Sequence, residues 1–83
     1  MPLERLKAAR KKTIGTKQTQ KAVERDAVKL VYIARDAEPQ VIRPLEDLCR
    51  QKEIEIIYIE SMAALGSACG IDVRSASASI LKD

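Results

Sequence analysis

The first third of the chain carries short apolar repeats. Leu3, Leu6 and Ala9 recur at intervals of three residues, which predicts a short first helix with charged residues on its other side. Residues 12–14, with the sequence KTI, predict a short strand before a lone glycine. Thr16 then stands in the position of an N-cap, so we expect a second helix to start there.

A long apolar segment and a helical repeat occupy the middle of the chain. Residues 28–34, VKLVYIA, are rich in β-branched residues and almost continuously apolar, which is typical of a strand covered on both faces. Residues 41–52 then show an apolar stripe at helical spacing, formed by Val41, Ile42, Leu45, Leu48 and Cys49. Pro39 and Pro44 leave the first residue of this helix open, because proline fits a first turn far better than a helix interior.

The last third of the chain contains two further strand patterns around a small-residue helix. Residues 54–60, IEIIYIE, predict a second buried strand. The segment SMAALGSACG predicts a short helix with Ser61 as its N-cap and Gly70 just beyond its end. We expect a loop over residues 71–74 and a final strand over residues 75–81.

Helices and strands therefore alternate along the chain, in the order α β α β α β α β. This order favours helices on both faces of one sheet. We expect an α/β fold, and specifically a three-layer α/β/α sandwich around a four-stranded mixed sheet. Because 83 residues suffice for one domain of this kind and no more, we expect residues 1–83 to form a single domain.

Composition restricts the classes of protein to which the chain can belong. Its two aromatic residues, Tyr32 and Tyr58, both fall in strands that we expect to be buried, so a nucleic-acid surface of stacked aromatic side chains is not expected. No apolar run approaches the roughly 20 residues that cross a bilayer, and the N-terminal residues show no signal-peptide pattern. We expect a soluble cytoplasmic protein without membrane contact.

Side chains for catalysis and metal binding are scarce. The chain has no histidine, which is the commonest general base and zinc ligand. We expect Cys49 and Cys69, which lie far apart among apolar residues, to be buried thiols in a reducing compartment. Ser75, Ser77 and Ser79 are small enough to serve close helix packing. Neither a GxxxxGK[ST] nor a GxGxxG motif is present, so we expect no enzymatic activity, no cofactor and no metal.

Positive charge is concentrated in the first third of the chain. Residues 1–29 hold nine Lys or Arg and three acids, a net charge of +6, whereas residues 30–83 have a net charge of −3. Nucleic acid is the common partner of such a basic region. A basic face that is merely solvated is the alternative.

The start of the second helix is a candidate RNA site. Lys17, Gln18 and Lys21 share one side of this helix, opposite Ala22 and Val23. The amide groups and the positive pole at a helix start attract anions, so lysines placed there are unfavourable until a phosphate arrives. Gln18 can also form two hydrogen bonds to a base edge. The pattern therefore predicts contacts to both phosphates and bases.

Together these motifs resemble the kink-turn RNA-binding family of ribosomal proteins, of the archaeal L-seven-Ae type, and above all its short bacterial YbxF-like members. The resemblance covers nearly the whole chain and rests on GTKQTQKAVERD, ARDAEP, YIESMAALGSACGIDV and the small-residue final strand. It implies the α/β/α fold and binding to a kink-turn, an internal RNA loop that is sharply bent by tandem sheared G·A pairs and an extruded nucleotide.

The resemblance also implies which residues bind the RNA. The residues expected to enter the widened major groove at the G·A pairs are Gly15, Thr16, Lys17, Gln18 and Lys21. Glu38, in ARDAEP, is expected to contact the extruded base. The residues expected to lie against that base, with the apolar ones covering it, are Ile71, Asp72, Val73 and Arg74. Met62 stands where many family members have a lysine.

Two residues at the helix start depart from the family pattern. Lys17 replaces the usual asparagine and Gln18 replaces the usual glutamate, so an acid is lost and a base is gained. We expect stronger attraction to phosphate and weaker discrimination between bases.

The resemblance thus predicts a non-catalytic, monomeric bacterial protein that recognises and stabilises kink-turns in structured RNA, with ribosomal RNA as a candidate target. The alternative is a protein-interaction or ribosome-surface module without kink-turn specificity. Such a module would be insensitive to the loss of the G·A pairs.

Overall fold

The fold consists of four helices and four strands that alternate along the chain. A computed structural model describes residues 2–82. The elements are α1 (Pro2–Ala8), β1 (Lys12–Ile14), α2 (Thr16–Glu24), β2 (Val28–Ala34), α3 (Pro39–Gln51), β3 (Ile56–Ile59), α4 (Met62–Ala68) and β4 (Ser77–Leu81). The predicted element order is confirmed, and the ends of most elements fall within two residues of the predicted ones.

The four strands form one mixed sheet in the order β1-β4-β2-β3. β4 runs antiparallel to both β1 and β2, whereas β2 and β3 are parallel. Five successive residues of β2, from Leu30 to Ala34, are buried. Because successive side chains of a strand point to opposite faces, both faces of the sheet are covered at this strand.

The helices form two pairs, since α2 packs on α3 and α1 packs on α4. Each pair contributes aliphatic side chains to the core, such as Leu6 from α1, Val23 from α2, Leu45 from α3 and Leu65 from α4, all with 0% exposure. The predicted three-layer α/β/α sandwich with a four-stranded mixed sheet is confirmed. α3 begins at Pro39, a favourable first position, and continues through Pro44.

Strand direction brings the connecting segments together at two opposite ends of the sheet. β1, β2 and β3 all end where β4 begins, and we call this the site end. It receives Gly15 and the segments 35–38, 60–61 and 70–76. The other end, which we call the far end, receives the residues before β1 and β2 and those after β4. Residues from four separate stretches of sequence therefore meet at the site end.

The prediction of a second buried strand was wrong in extent and in burial. Only Ile56–Ile59 form β3, and three of these four residues are half-buried. The reason is that β3 lies at an edge of the sheet and pairs with β2 alone. Tyr58, which we expected to be buried, is accordingly half-buried, while Tyr32 on the central strand is fully buried. Val41, assigned to the apolar stripe of α3, is 42% exposed because the buried face of α3 is formed by Ile42, Leu45 and Cys49, and Val41 lies outside it.

Both cysteines are buried free thiols, as predicted. Burial raises the pKa of Cys49 to about 11 and also raises the pKa of Cys69, so both thiols are poor nucleophiles at neutral pH. No helix of residues 2–82 is long and apolar enough to cross a membrane.

Candidate functional site

The start of α2 depends on the backbone conformation of Gly15. This residue has φ 96° and ψ 154°, a conformation that is almost restricted to glycine, and it occupies the N-cap position. Its N–H donates to the Ser77 carbonyl at 2.8 Å, and its carbonyl accepts the first helical bond, from Thr19 at 3.0 Å. The prediction of Thr16 as N-cap was wrong, because Thr16 is the first residue inside the helix.

Buried hydroxyl groups attach α2 to the sheet. The Ser77 hydroxyl donates to Thr16 Oγ1 at 2.9 Å. Deeper in the structure, Thr13 Oγ1 lies 2.8 Å from Thr19 Oγ1 and 2.6 Å from Ser79 Oγ. The serines of β4 therefore have the structural role that we predicted, and their hydrogen bonds also fix the position and direction of the helix start.

Lys17, Gln18 and Lys21 are all exposed on α2. The predicted repulsion by the helix pole applies to Lys17, the second residue of the helix. It does not apply to Lys21, which lies in the last turn, where a cation is favourable. The Ile14 N–H donates to Gln18 Oε1 at 3.4 Å, so the Gln18 side chain folds back over the strand end. Its Nε2 carries two further donors for an RNA acceptor.

The segment between β2 and α3 carries Glu38 at the N-cap position of α3. Glu38 is exposed, and its Oε2 accepts a hydrogen bond from Gln40 Nε2 at 2.7 Å, which orients the carboxylate. Asp36 accepts from the Met62 N–H at 2.8 Å and thereby caps the start of α4. This hydrogen bond connects two of the predicted site segments.

The loop formed by residues 71–74 completes the site end. Val73 is 67% exposed, whereas Ile71 is half-buried and packs against the core. The loop and α4 enclose a shallow cleft of about 380 Å³, which is lined by Ala63, Ser67, Ile71, Asp72, Val73 and Arg74. At the end of the loop, the Ser75 N–H donates to the Met62 carbonyl at 3.1 Å. The Met62 backbone therefore ties this loop to Asp36.

Gly66 is a positioning residue that the sequence reasoning missed. A Cβ atom at this position of α4 would lie 2.0 Å from the Val73 carbonyl oxygen, so only glycine allows the loop to cross the helix here. Gly70, at φ 81°, ends the helix as predicted, and the Ile71 N–H donates to the Gly66 carbonyl at 3.2 Å. A signal was available, because a glycine inside a helix is unfavourable by about 1 kcal/mol unless packing requires it.

Arg35 is a second residue at the site end that the sequence reasoning missed. It follows β2 directly, and its guanidinium lies 5.3 Å from the centre of the Tyr58 ring. The Tyr58 hydroxyl donates to Glu46, and this hydrogen bond raises the pKa of Tyr58. Arg35 is therefore held in place as an additional exposed cation beside the predicted site.

The predicted site residues, drawn from four stretches of the sequence, lie at the site end or on the part of α2 that begins there. The α2 side carries exposed cations, Lys17 and Lys21. The loop side carries the exposed acids Glu38 and Asp72 and the exposed cations Arg35 and Arg74, beside the apolar Val73. The α2 side thus suits phosphate groups, while Glu38 and Val73 on the loop side suit the donors and the face of a base. No metal-binding cluster of acids or cysteines occurs among residues 2–82.

Comparison with known proteins gives the same family. Residues 2–83 match the model of the "Ribosomal protein L7Ae/L30e/S12e/Gadd45 family". "RNA-binding protein BH0128" of Halalkalibacterium halodurans is 48% identical over 82 residues, which cover 99% of this chain and 100% of that protein. An "RNA-binding protein" of Bacillus pumilus is 40% identical over 81 residues, which cover 98% of this chain and 99% of that protein.

Solved structures share the fold. The "Giardia lamblia 15.5kD RNA binding protein" superposes with a TM-score of 0.88 at 33% identity, over 99% of this chain and 72% of that one. A Bacillus halodurans protein described as having unknown function superposes with a TM-score of 0.82 at 28% identity, over 96% of this chain and 80% of that one.

Proposed function

We propose that this chain, which belongs to the ribosomal protein L7Ae/L30e/S12e/Gadd45 family, is a non-catalytic RNA-binding protein. Its proposed targets are kink-turns, which it recognises and whose bent form it stabilises. The observation that carries the proposal is the meeting of the predicted site residues at one end of the sheet. Relatives that match over nearly their whole length are themselves described as RNA-binding proteins. Ribosomal RNA is the first target class to test.

The α2 side of the site would hold the duplex at the G·A pairs. The positive pole of α2, Lys17 and Lys21 together attract phosphate oxygens. Gln18 lies between the two lysines and offers amide donors to a base edge. Hydrogen bonds to Ser77 hold the helix start before RNA arrives, so little conformational freedom would be lost when the RNA binds.

The loop side of the site would hold the extruded nucleotide. The Glu38 carboxylate is an acceptor for the amino or imino group of a base, and Gln40 keeps it in one orientation. The exposed Val73 side chain offers an apolar surface for a base that has left its stack. This side would bind a nucleotide without aromatic stacking, because Tyr32 is buried and the half-buried Tyr58 already contacts Arg35 and Glu46.

Energy transfer between dyes on the two arms of an RNA duplex tests this function. We expect titration with the protein to raise the transfer efficiency of a kink-turn RNA, because binding favours the bent form. The matched control is the same RNA with its G·A pairs replaced by Watson–Crick pairs, for which no rise is expected. Equal, weak binding to both RNAs with no bending would instead favour a protein-interaction or ribosome-surface module.

A further inference from the structure

A second group of cations lies at the far end of the sheet, away from the proposed kink-turn site. It lines a cleft of about 300 Å³ between the end of α1 and the end of β4. Four of its eight lining residues are basic, and none is acidic: Arg5, Arg10, Lys11 and Lys29 share the cleft with Ala8, Ala9, Ile80 and Leu81. All four basic residues are exposed. The proposed function does not use this cleft.

The far end is too distant from the site end for the same RNA groups to contact both. Lys11 directly precedes β1, and the Leu81 N–H at the end of β4 donates to the Lys11 carbonyl at 3.0 Å. The central strand β2 extends over seven residues between the two ends of the sheet. At about 3.3 Å per residue, the two ends are separated by about 20 Å.

A second cleft runs along α2 and shares one lining residue with the far-end cleft. This cleft measures about 280 Å³ and is lined by Thr13, Gln18, Lys21, Ala22, Arg25, Ala27 and Leu81. It therefore begins at two residues of the proposed kink-turn site and ends at Leu81, which also lines the far-end cleft. Lys17 and Lys21 are spaced four residues apart on one side of α2, and Arg25, the C-cap of this helix, continues the spacing. Exposed cations therefore line two clefts that share Leu81, one along α2 and one at the far end.

We propose that this series of cations, which we call the cationic track, binds the phosphate backbone of one arm of the kinked RNA as that arm leaves the G·A pairs. The track runs from Lys17 along α2 to Arg10 and Lys11. The spacing of its cations along about 20 Å matches a repeating phosphate chain rather than a single small anion. This inference rests on the proposed function, because the kink-turn sets where the arm begins.

Acidic groups near the track leave its charge positive. Asp26, next to Arg25, is bound by Lys52 Nζ at 2.9 Å, which lowers the pKa of Asp26 and satisfies its charge. Glu24, at the end of α2, and Glu4, on α1, are exposed, and neither lines either cleft. Phosphate groups are therefore the favoured partners of the track.

The length of an RNA arm tests the track separately from kink-turn recognition. Two kink-turn RNAs are compared. In the short-arm RNA one arm ends at the G·A pairs, and in the long-arm RNA that arm is extended by about a helical turn. The comparison is then repeated with the other arm extended. The wild-type protein is compared with the Arg10→Ala/Lys11→Ala variant. Arg43→Ala/Arg50→Ala is the matched control, since it removes two exposed cations from α3, outside both clefts.

Extending one of the two arms should raise the affinity of the wild-type protein and make its dependence on salt steeper. Each phosphate contact adds about 0.9 to the slope of log affinity against log salt for a duplex. Arg10→Ala/Lys11→Ala should therefore lower the salt slope for the long-arm RNA by about two units and leave the affinity for the short-arm RNA unchanged. The α3 control variant should retain both the wild-type slope and the wild-type affinity.

Two outcomes would contradict the proposed role of the cationic track. One is equal affinity of the wild-type protein for the short-arm and long-arm RNAs, whichever arm is extended. The other is the same loss of affinity in the Arg10→Ala/Lys11→Ala variant for short-arm and long-arm RNA. Loss of kink-turn specificity itself would appear separately, as equal binding of the short-arm RNA and its Watson–Crick control. Thermal unfolding of each variant establishes that the fold is intact.

Discussion

Replacing both lysines of the α2 side, in the Lys17→Ala/Lys21→Ala variant, should weaken binding to kink-turn RNA at least about tenfold at low salt. A side chain that contacts a base edge contributes about 1–3 kcal/mol, and one that contacts a phosphate adds about one unit to the salt slope. Folding should change little, because both side chains are exposed and their effects at the helix poles have opposite signs. Titration of labelled RNA at several salt concentrations measures affinity and slope together.

The α3 variant Arg43→Ala/Arg50→Ala separates a specific effect from a general effect of net charge. It also removes two positive charges, but from another face of the protein, so it should lower the affinity for RNA far less than Lys17→Ala/Lys21→Ala. Equal losses in the two variants would show that only net charge matters. Unchanged binding after Lys17→Ala/Lys21→Ala would contradict the assignment of α2 to the site.

Gly66→Ala should move the loop of residues 71–74 and lower both stability and RNA affinity. Helix propensity alone would make alanine more favourable than glycine by about 1 kcal/mol. The new Cβ would lie 2.0 Å from the Val73 carbonyl, however, and forced overpacking is unfavourable by about 1–3 kcal/mol. The steric effect should exceed the gain in propensity, because the atom that is contacted belongs to the backbone. Each 1 kcal/mol of lost stability lowers the melting temperature by about 4–8 °C in a domain of this size.

Ser67→Ala is the matched control for Gly66→Ala. It raises the helix propensity of the neighbouring position without adding an atom, and Ser67 is exposed. The melting temperature of the Ser67→Ala variant should therefore stay the same or rise. A melting temperature that rises in Gly66→Ala as well would mean that the loop adapts to the methyl group without penalty. Unchanged RNA affinity in a folded Gly66→Ala variant would remove this loop from the site.

The elements of this fold could be predicted from sequence wherever apolar spacing and local chemistry agreed. The almost continuous apolar run of residues 28–34 predicted a strand covered on both faces, and β2 is that strand. Ser61 accepts a hydrogen bond from the Ala64 N–H at 3.1 Å, as expected of an N-cap. The candidate site residues could be named from the resemblance to a known family, because each motif could be assigned to a segment.

Features that depend on strand order could not be predicted from local patterns. Residues 54–60 look like a buried strand, but β3 pairs on one side only, and its position at the sheet edge is set by the whole topology. The Thr16 hydroxyl was an apparent N-cap, yet its partner is Ser77, 61 residues away. The contact between Gly66 and Val73 likewise appears only when the loop is placed over α4.

Amide chemical shifts of the isotopically labelled protein, recorded while unlabelled kink-turn RNA is added, test the central proposal most directly. The proposal predicts that the largest changes fall on residues 15–21, 36–38 and 71–74, and that the Watson–Crick control RNA does not reproduce them. Changes concentrated on the outer surface of α3 or on β3, or changes of equal size with both RNAs, would contradict it.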